Sequence, residues 1–188
     1  MRGAPNAHLE ALLLNNLGDV VVAENDPLAA QGHYEAALAI WRERRDDWGI
    51  GIAILNLGHL ALRSGDAQRA GELYREGLTM SVELGDQARI ADYLNAIGRL
   101  AAALGQWSSA ARLLSAATTL YHSVGIEQFP DHRGEHEHAV AAARTGLGDE
   151  AFTAAWDAGQ ALEPEHAVSE ALAVTVIPVS DAACLSPY

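Results

Sequence analysis

A short run in the C-terminal half of the chain has the residue types of a metal site: His132, Arg133, Gly134, Glu135 and His136. Their order is His-x-x-Glu-His. In a helix the two histidines would lie one turn apart, where their ring nitrogens could bind one Zn²⁺. The adjacent glutamate could then act as the base in zinc-dependent hydrolysis. The motif is therefore a candidate for metal-assisted chemistry.

Other features of the sequence argue against zinc at this motif. Gly134 weakens the helix that would align the histidines, and Pro130 lies just upstream. A further carboxylate ligand would have to come from the short C-terminal region. His138 adds another imidazole and suggests a histidine-rich surface loop. We predict no metal and no cofactor, with His132 and His136 as the residues to test for zinc.

No other catalytic pattern stands out. Gly49-Ile50-Gly51 has no strand before it and lacks the remaining glycine and the lysine of a phosphate loop. We find no credible set of nucleophile, base and orienting acid, although such triads assemble in space. We interpret the tryptophans as packing residues, namely Trp41, Trp48, Trp107 and Trp156. We predict that the protein is not an enzyme; catalysis through His132 and His136 stays the third alternative.

A repeat of forty residues organises the chain. An apolar residue followed by glycine occurs three times at this interval, as Leu17-Gly18, Leu57-Gly58 and Ile97-Gly98. Gly65 and Gly105 recur at the same interval. Apolar residues return every three or four positions in segments rich in Ala, Leu, Glu and Arg, which favours helices over strands. The sequence therefore predicts an all-α repeat protein.

The helices are predicted to form four pairs. They are 8–23 with 29–45, 48–64 with 66–84, 87–104 with 107–123, and 135–145 with 149–162. The first and fourth units are predicted to be atypical. In the first, 14 positions separate Gly18 from Gly32 whereas 7 separate Gly58 from Gly65, and a break in the period precedes the fourth. The stretch 126–134 is predicted to be irregular, and a short helix over 164–173 to cap the end. We divide the chain into a repeat domain, 1–173, and an extended or disordered tail, 174–188.

A second pattern accompanies each apolar-glycine pair: a small residue early in the next helix, with a bulky residue four positions later. We assign these positions to Ala37 and Trp41, Ala70 and Tyr74, and Ala110 and Leu114. The small residues let two helices approach, and the bulky residue fills the gap to the next pair. This pattern resembles the tetratricopeptide repeat. The resemblance implies a right-handed solenoid of about four antiparallel helix pairs.

The last quarter of the chain resembles the end of the repeat region in large bacterial transcriptional regulators. The matching segments are Leu147-Gly148-Asp149-Glu150-Ala151-Phe152, Ala154-Ala155-Trp156-Asp157-Ala158-Gly159 and Glu170-Ala171-Leu172. Those regulators join an ATPase module, a repeat sensor and often a LuxR-type DNA-binding domain. The present sequence contains neither a phosphate loop ending in Gly-Lys-Ser or Gly-Lys-Thr nor a basic helix-turn-helix. The resemblance therefore implies only the sensor or protein-docking part.

The resemblance also indicates where binding would occur, because the first helices of tetratricopeptide pairs line a concave groove. The candidates are Asn15, Asp19, Leu55, His59, Arg63, Asp92, Asn95 and Arg99. His59 and Arg63 are four residues apart, so they share one helical face, as do Asn95 and Arg99. The alternative is that these side chains form the solvated faces of amphipathic helices.

Charge and composition restrict the partners. Lys and Arg total 12 against 25 Asp and Glu, for a net charge of −13, so we predict no direct nucleic-acid binding and favour a basic partner. Cys184 is the only cysteine, which excludes an internal disulfide. Neither a signal peptide nor an apolar run of transmembrane length is evident. We predict a cytoplasmic protein without a membrane partner.

The first functional hypothesis is a non-catalytic regulatory module whose groove binds a protein or peptide. Asn15, Asn95 and Arg99 would donate hydrogen bonds and Leu55 would supply apolar contact. The alternative is a sensor for a small-molecule effector, because the similar repeat region of the bacterial maltose-regulon activator binds its inducing sugar. Assembly into a homo-oligomer stays open, since a solenoid has two exposed ends.

Overall fold

The computed structural model describes residues 6–126 and 130–176, with side chains from 133 onward in the second range. These residues form helices and no strand, which confirms the predicted all-α class. Over these ranges the helices are α1 (Ala7–Ala23), α2 (Pro27–Arg44), α3 (Asp47–Arg63), α4 (Ala67–Leu84), α5 (Gln87–Ala103), α6 (Trp107–Ser123), α7 (Pro130–Leu147), α8 (Asp149–Gln160) and α9 (Pro164–Ala173). Among them, none is long and apolar enough to cross a bilayer.

The helices keep the forty-residue period of the sequence. α1, α3 and α5 begin at residues 7, 47 and 87, and α2, α4 and α6 begin at residues 27, 67 and 107. From α1 to α6, each helix packs on the helix that follows it in the chain. The structure is consistent with a helical repeat whose core runs between consecutive helices.

The connections between these helices repeat every twenty residues. A residue with a left-handed backbone follows each of the first six helices, at Asn25, Arg45, Gly65, Gly85, Gly105 and Gly125. The aspartates at 26, 46, 66 and 86 then cap α2 to α5, each accepting a hydrogen bond from the backbone N–H three residues later, at 2.9–3.1 Å. Each cap contributes about 1 kcal/mol. Local turn chemistry therefore sets where these helices begin.

The expectation that the first unit is atypical is wrong. Asn25, with φ 62°, occupies the position that Gly65 holds in the second unit, so both pairs have the same connection. Asparagine enters the left-handed region more readily than most residues because its short side chain can hydrogen-bond locally. The absence of a glycine at this position concealed the equivalence of the two connections.

Within each of the first three helix pairs, a large side chain packs on a glycine and joins the two helices. The contacts are Tyr34 on Gly18, Tyr74 on Gly58 and Leu114 on Gly98. Tyr34, forty residues before Tyr74, is therefore its counterpart, and the assignment of Trp41 to this position is wrong. Trp41 packs instead on Gly49, between the first pair and the second.

The prediction that residues 126–134 are irregular is also wrong for the second half of that stretch. α7 begins at Pro130 and continues through Gly134 and Gly146. Proline suits the first turn of a helix because its missing N–H would have no partner there. Each internal glycine costs about 1 kcal/mol relative to alanine. At Gly146 the small residue has a packing role, because the Trp107 ring occupies the space that a Cβ would need.

The C-terminal helices cover α6. Both α8 and α9 pack on it, and the Ser115 hydroxyl donates a hydrogen bond to the Trp156 carbonyl oxygen at 2.8 Å. Val174 is buried, and Gln106 Nε2 donates to the Thr175 carbonyl oxygen at 2.8 Å. The first residues of the predicted tail therefore bind to the helical domain. The rest of the tail, 177–188, lies outside the described residues.

Gly58→Ala is expected to destabilise the protein, because the added methyl group would overlap the Tyr74 ring. Overpacking of this kind costs about 1–3 kcal/mol, more than the roughly 1 kcal/mol that alanine gains over glycine within a helix. Gly32→Ala is the matched control, since a Cβ there would meet no heavy atom of the described chain within 4 Å. We expect the control to stabilise the protein by about 0.5–1 kcal/mol. Urea unfolding measures both variants, and an equal gain in stability would contradict the proposed contact.

Candidate functional site

A cavity of about 820 Å³ lies along the face that α1, α3 and α5 share. α2 and α6 contribute one tyrosine each to its lining, and α7 contributes the carboxylate of Glu135. Its size falls within the range of about 300–1,000 Å³ that is usual for small-molecule sites. The forty-residue repeat creates this face, because it places equivalent positions of three helices side by side.

Six of the eight candidate residues line the cavity. They are Asn15, Asp19, Leu55, His59, Arg63 and Asp92. Asn95 and Arg99 are buried and bind side chains of α7. Sequence reasoning placed Glu135 in the metal motif rather than at this face. It missed six other polar or aromatic residues of the lining, namely Tyr34, Trp48, Asn56, Asp86, Arg89 and Tyr121.

One polar cluster joins α1, α2 and α3. The Tyr34 hydroxyl donates to Asp19 Oδ1 at 2.7 Å, and Asn56 Nδ2 lies 3.5 Å from the same oxygen. The Asn56 amide also donates to Asn15 Oδ1 at 3.1 Å. Burial, followed by the hydrogen bond to Asp19, raises the pKa of Tyr34. The phenol therefore stays protonated and serves as a donor.

A second cluster lies on α5 and α6. The Tyr121 hydroxyl donates to Asp92 Oδ1 at 2.7 Å, and Arg89 Nη1 lies 3.3 Å from Asp92 Oδ2. Burial, followed by the charge of Asp92, raises the pKa of Tyr121. The (i, i+3) spacing of Arg89 and Asp92 is a signal that could have identified this ion pair in the sequence. Both clusters are aspartates held by tyrosine hydroxyls, so they present oriented hydrogen-bonding groups to the cavity.

The N-terminal half of α7 contacts α5 through an ion pair. Arg99 is only 6% exposed, and its guanidinium pairs with the Glu135 carboxylate. Arg99 Nη1 also lies 3.5 Å from His59 Nε2. An unpaired guanidinium at this depth would be costly, so the charge of Arg99 requires a partner such as Glu135.

The adjacent histidine of the His-x-x-Glu-His motif also binds α5. His136 Nδ1 lies 2.7 Å from Asn95 Oδ1. The side chain of His132 lies outside the described residues. Among the side chains that the structure describes, no three His, Cys, Asp or Glu residues are grouped to hold a metal ion. Two groups of the motif, Glu135 and His136, therefore have protein partners, and the absence of a metal stays a prediction.

Two residues at the cavity carry groups suited to a ligand. Trp48 is 53% exposed, contrary to the interpretation of the tryptophans as packing residues, and it lines the cavity. The guanidinium of Arg63 is exposed and forms no ion pair with any described residue. The planar cation of Arg63 can bind polar groups, and the indole of Trp48 can pack on flat groups.

The stability of the protein is expected to fall between neutral and mildly acidic pH because of His136. Burial, followed by the nearby Arg99, lowers the pKa of His136 below its ordinary value near 6.5, while Glu137 acts in the opposite direction. Between the two pKa values the unfolded chain binds more protons, so the free energy of unfolding decreases as the pH drops through about 6.5.

His136→Gln should weaken this pH dependence, because glutamine can contact Asn95 but does not titrate. Urea unfolding at about pH 7.5 and pH 5 measures the change. Exposed His138, in the same helix, provides the control His138→Gln. The same pH dependence in wild type and His136→Gln would contradict the assignment.

The chain is similar to two mycobacterial proteins that carry the name "putative HTH-type transcriptional regulator", one from Mycobacterium bovis and one from Mycobacterium tuberculosis. Each is 25% identical over 155 residues, which make up 82% of this chain and 17% of the relative. The chain therefore spans about a sixth of the length of the curated relatives it matches. No family model matches the chain, and no solved structure matches it significantly. The weak similarity and the all-α structure are consistent with a helical domain related to such regulators.

Proposed function

We propose that this chain is the effector-sensing module of a bacterial transcriptional regulator, and that a small polar molecule binds in the cavity between α1, α3 and α5. The observation that carries the proposal is the cavity itself, with a volume of about 820 Å³ and hydrogen-bonding groups from three repeat units. The similarity to helix-turn-helix regulators supports a regulatory role. Such a role implies a cytoplasmic location and requires no catalysis by this module.

The proposal includes the tetratricopeptide-like architecture: a right-handed solenoid of antiparallel helix pairs. Two observations support it. The helices of the first three pairs begin at a constant interval, and each packs on its neighbours in chain order. A glycine under a large side chain recurs in each of these pairs. In such an array, the first helices of the pairs form one continuous surface, where the cavity lies.

A small molecule fits the site better than an extended peptide. The N-terminal half of α7 occupies the polar groups that α5 would offer to a peptide, because Glu135 pairs with Arg99 and His136 contacts Asn95. A peptide lying along the whole face shared by α1, α3 and α5 would have to replace these contacts. A compact ligand could bind beside them, against Asp19, Asn56 and Arg63. Docking of a basic peptide or protein stays the second prediction for this face.

Ligand binding in this cavity would act on several helices at once. The lining comes mainly from α1, α3 and α5, with one tyrosine each from α2 and α6, and Glu135 connects it to α7. A ligand that bridges these elements binds only the folded arrangement and thereby stabilises it. In a regulator, a ligand that binds one arrangement of these helices more tightly than another would increase the population of the tightly binding arrangement.

Thermal unfolding against separate sets of sugars, nucleosides, amino acids and organic acids tests the proposal. A ligand at about 100 times its Kd stabilises the native state by roughly 2.7 kcal/mol, which corresponds to several degrees in Tm. We expect Arg63→Ala to weaken binding of the active compound about tenfold, the value of one charged hydrogen bond. Arg44→Ala on α2, an exposed arginine away from the cavity, is the matched control and should bind normally.

Two results would contradict the proposal. One is the absence of any compound that raises Tm. The other is an equal effect of every active compound on wild type and on a variant with Asn56→Leu, which removes the amide that contacts Asn15 and Asp19. Binding of a lysine- or arginine-rich peptide that Arg63→Ala leaves intact and Glu135→Gln alters would favour the peptide hypothesis instead.

A further inference from the structure

α1 exposes a row of large apolar side chains. Leu9, Leu13, Leu17 and Val20 are each 43–59% exposed. Their spacings of four, four and three residues place them on one face of the helix. An apolar row of this length on the outside of a soluble domain is uncommon unless another element covers it.

The internal repeat shows what happens to the same positions in the other units. Forty residues later they are Gly49, Ala53, Leu57 and Leu60, all of which are buried in α3. Eighty residues later, three of the four are Tyr93, Ile97 and Leu100, which are buried in α5. The exposed row on α1 is therefore the equivalent of an internal packing face.

In both later units this face packs on the second helix of the preceding pair. α2 packs on α3, where the Trp41 ring covers Gly49. α4 packs on α5, where the Tyr93 ring covers Gly77. The period therefore indicates the kind of element that belongs on α1. It is the second helix of a preceding pair, which would pack on α1 in the way that α2 packs on α3 and α4 packs on α5.

We infer that the apolar row of α1 binds a helix of this kind, contributed by a further helix pair stacked ahead of α1. The inference is independent of the ligand cavity. In the mycobacterial relatives, the matched region is only 17% of the chain, so those proteins have ample polypeptide for such a pair. A terminal repeat that ends an array carries a polar outer face, and α1 does not.

A second copy of this chain is a poor occupant. Its own second helices are engaged on both sides: α2 between α1 and α3, and α4 between α3 and α5. α6 is covered by α7, α8 and α9. Within the described residues, a copy therefore has no open second helix to offer. Two copies would also each carry a net charge of −13, which opposes their association.

The sizes of the side chains define the partner more closely. Opposite the small residue Gly49, α2 places the large Trp41. Forty residues later, Arg89 and Ser81 stand at the positions of Gly49 and Trp41. One turn further along, α5 presents large Tyr93 to Gly77 of α4, so α5 has large residues at both positions and α4 has small ones. α1 presents leucine at positions 9 and 13. Its partner is therefore a helix of the α4 type, with small residues facing α1.

A graft tests this inference on the full chain. Residues 67–86, which are α4 with Gly85 and Asp86, replace residues 1–6, so that they precede Ala7 as they naturally precede Gln87. We expect Tm to rise by about 5 °C, since new apolar contacts form against the α1 row. The matched control graft is residues 27–46, which are α2 with its connection. It should raise Tm by less than half as much, because Trp41 would meet Leu9.

Leu13→Arg separates the proposed contact from other effects of the graft. In the ungrafted chain Leu13 is exposed, so the change should move Tm by less than about 2 °C. In the α4 graft it should abolish the gain. An α4 graft that unfolds, that leaves Tm unchanged, or whose gain survives Leu13→Arg would overturn the inference. So would sedimentation showing a dimer of the ungrafted chain that Leu13→Arg dissociates, because the occupant would then be a second copy.

Discussion

The packing of a large side chain on a glycine is the contact on which the rest of this structure depends. Tyr34 on Gly18 and Tyr74 on Gly58 bring two helices so close that no Cβ fits between them. Because close-packed interiors allow little adjustment, the contact also determines how each helix is rotated about its axis. The same rotation in α1, α3 and α5 turns equivalent residues toward one face and so creates the cavity. The cavity is thus a consequence of helix packing inside each pair.

The turns act together with this contact. A left-handed residue followed by a capping aspartate marks each junction from α1 to α5, so local hydrogen bonds define the residue at which each of α2 to α5 starts. Isolated helices of this length are marginal in water, and packing on neighbouring helices supplies most of their stability. Turn chemistry therefore sets the length and phase of the repeat, and packing provides the stability.

α7 departs from the repeat, and it makes the face shared by α1, α3 and α5 asymmetric. At one end of that face, Asn15 and Asp19 remain at the cavity. At the other end, Arg99 is buried under Glu135. A residue on the face shared by α1, α3 and α5 can thus lie at the cavity or be buried against another helix. Which of the two it becomes depends on an element that lies outside the period.

The sequence alone determined the helical class, the forty-residue period and most of the helix limits, because glycines, aspartate caps and apolar spacing act over a few residues. It also indicated the helices that line the cavity. Only the tertiary structure decided that Tyr34 rather than Trp41 packs on the first glycine, that α7 begins at Pro130 and that Arg99 faces Glu135. These features depend on contacts between residues far apart in the chain, and their energies are absent from any local pattern. A buried charge selects its partner in space, so the spacing of residues along the chain does not reveal it.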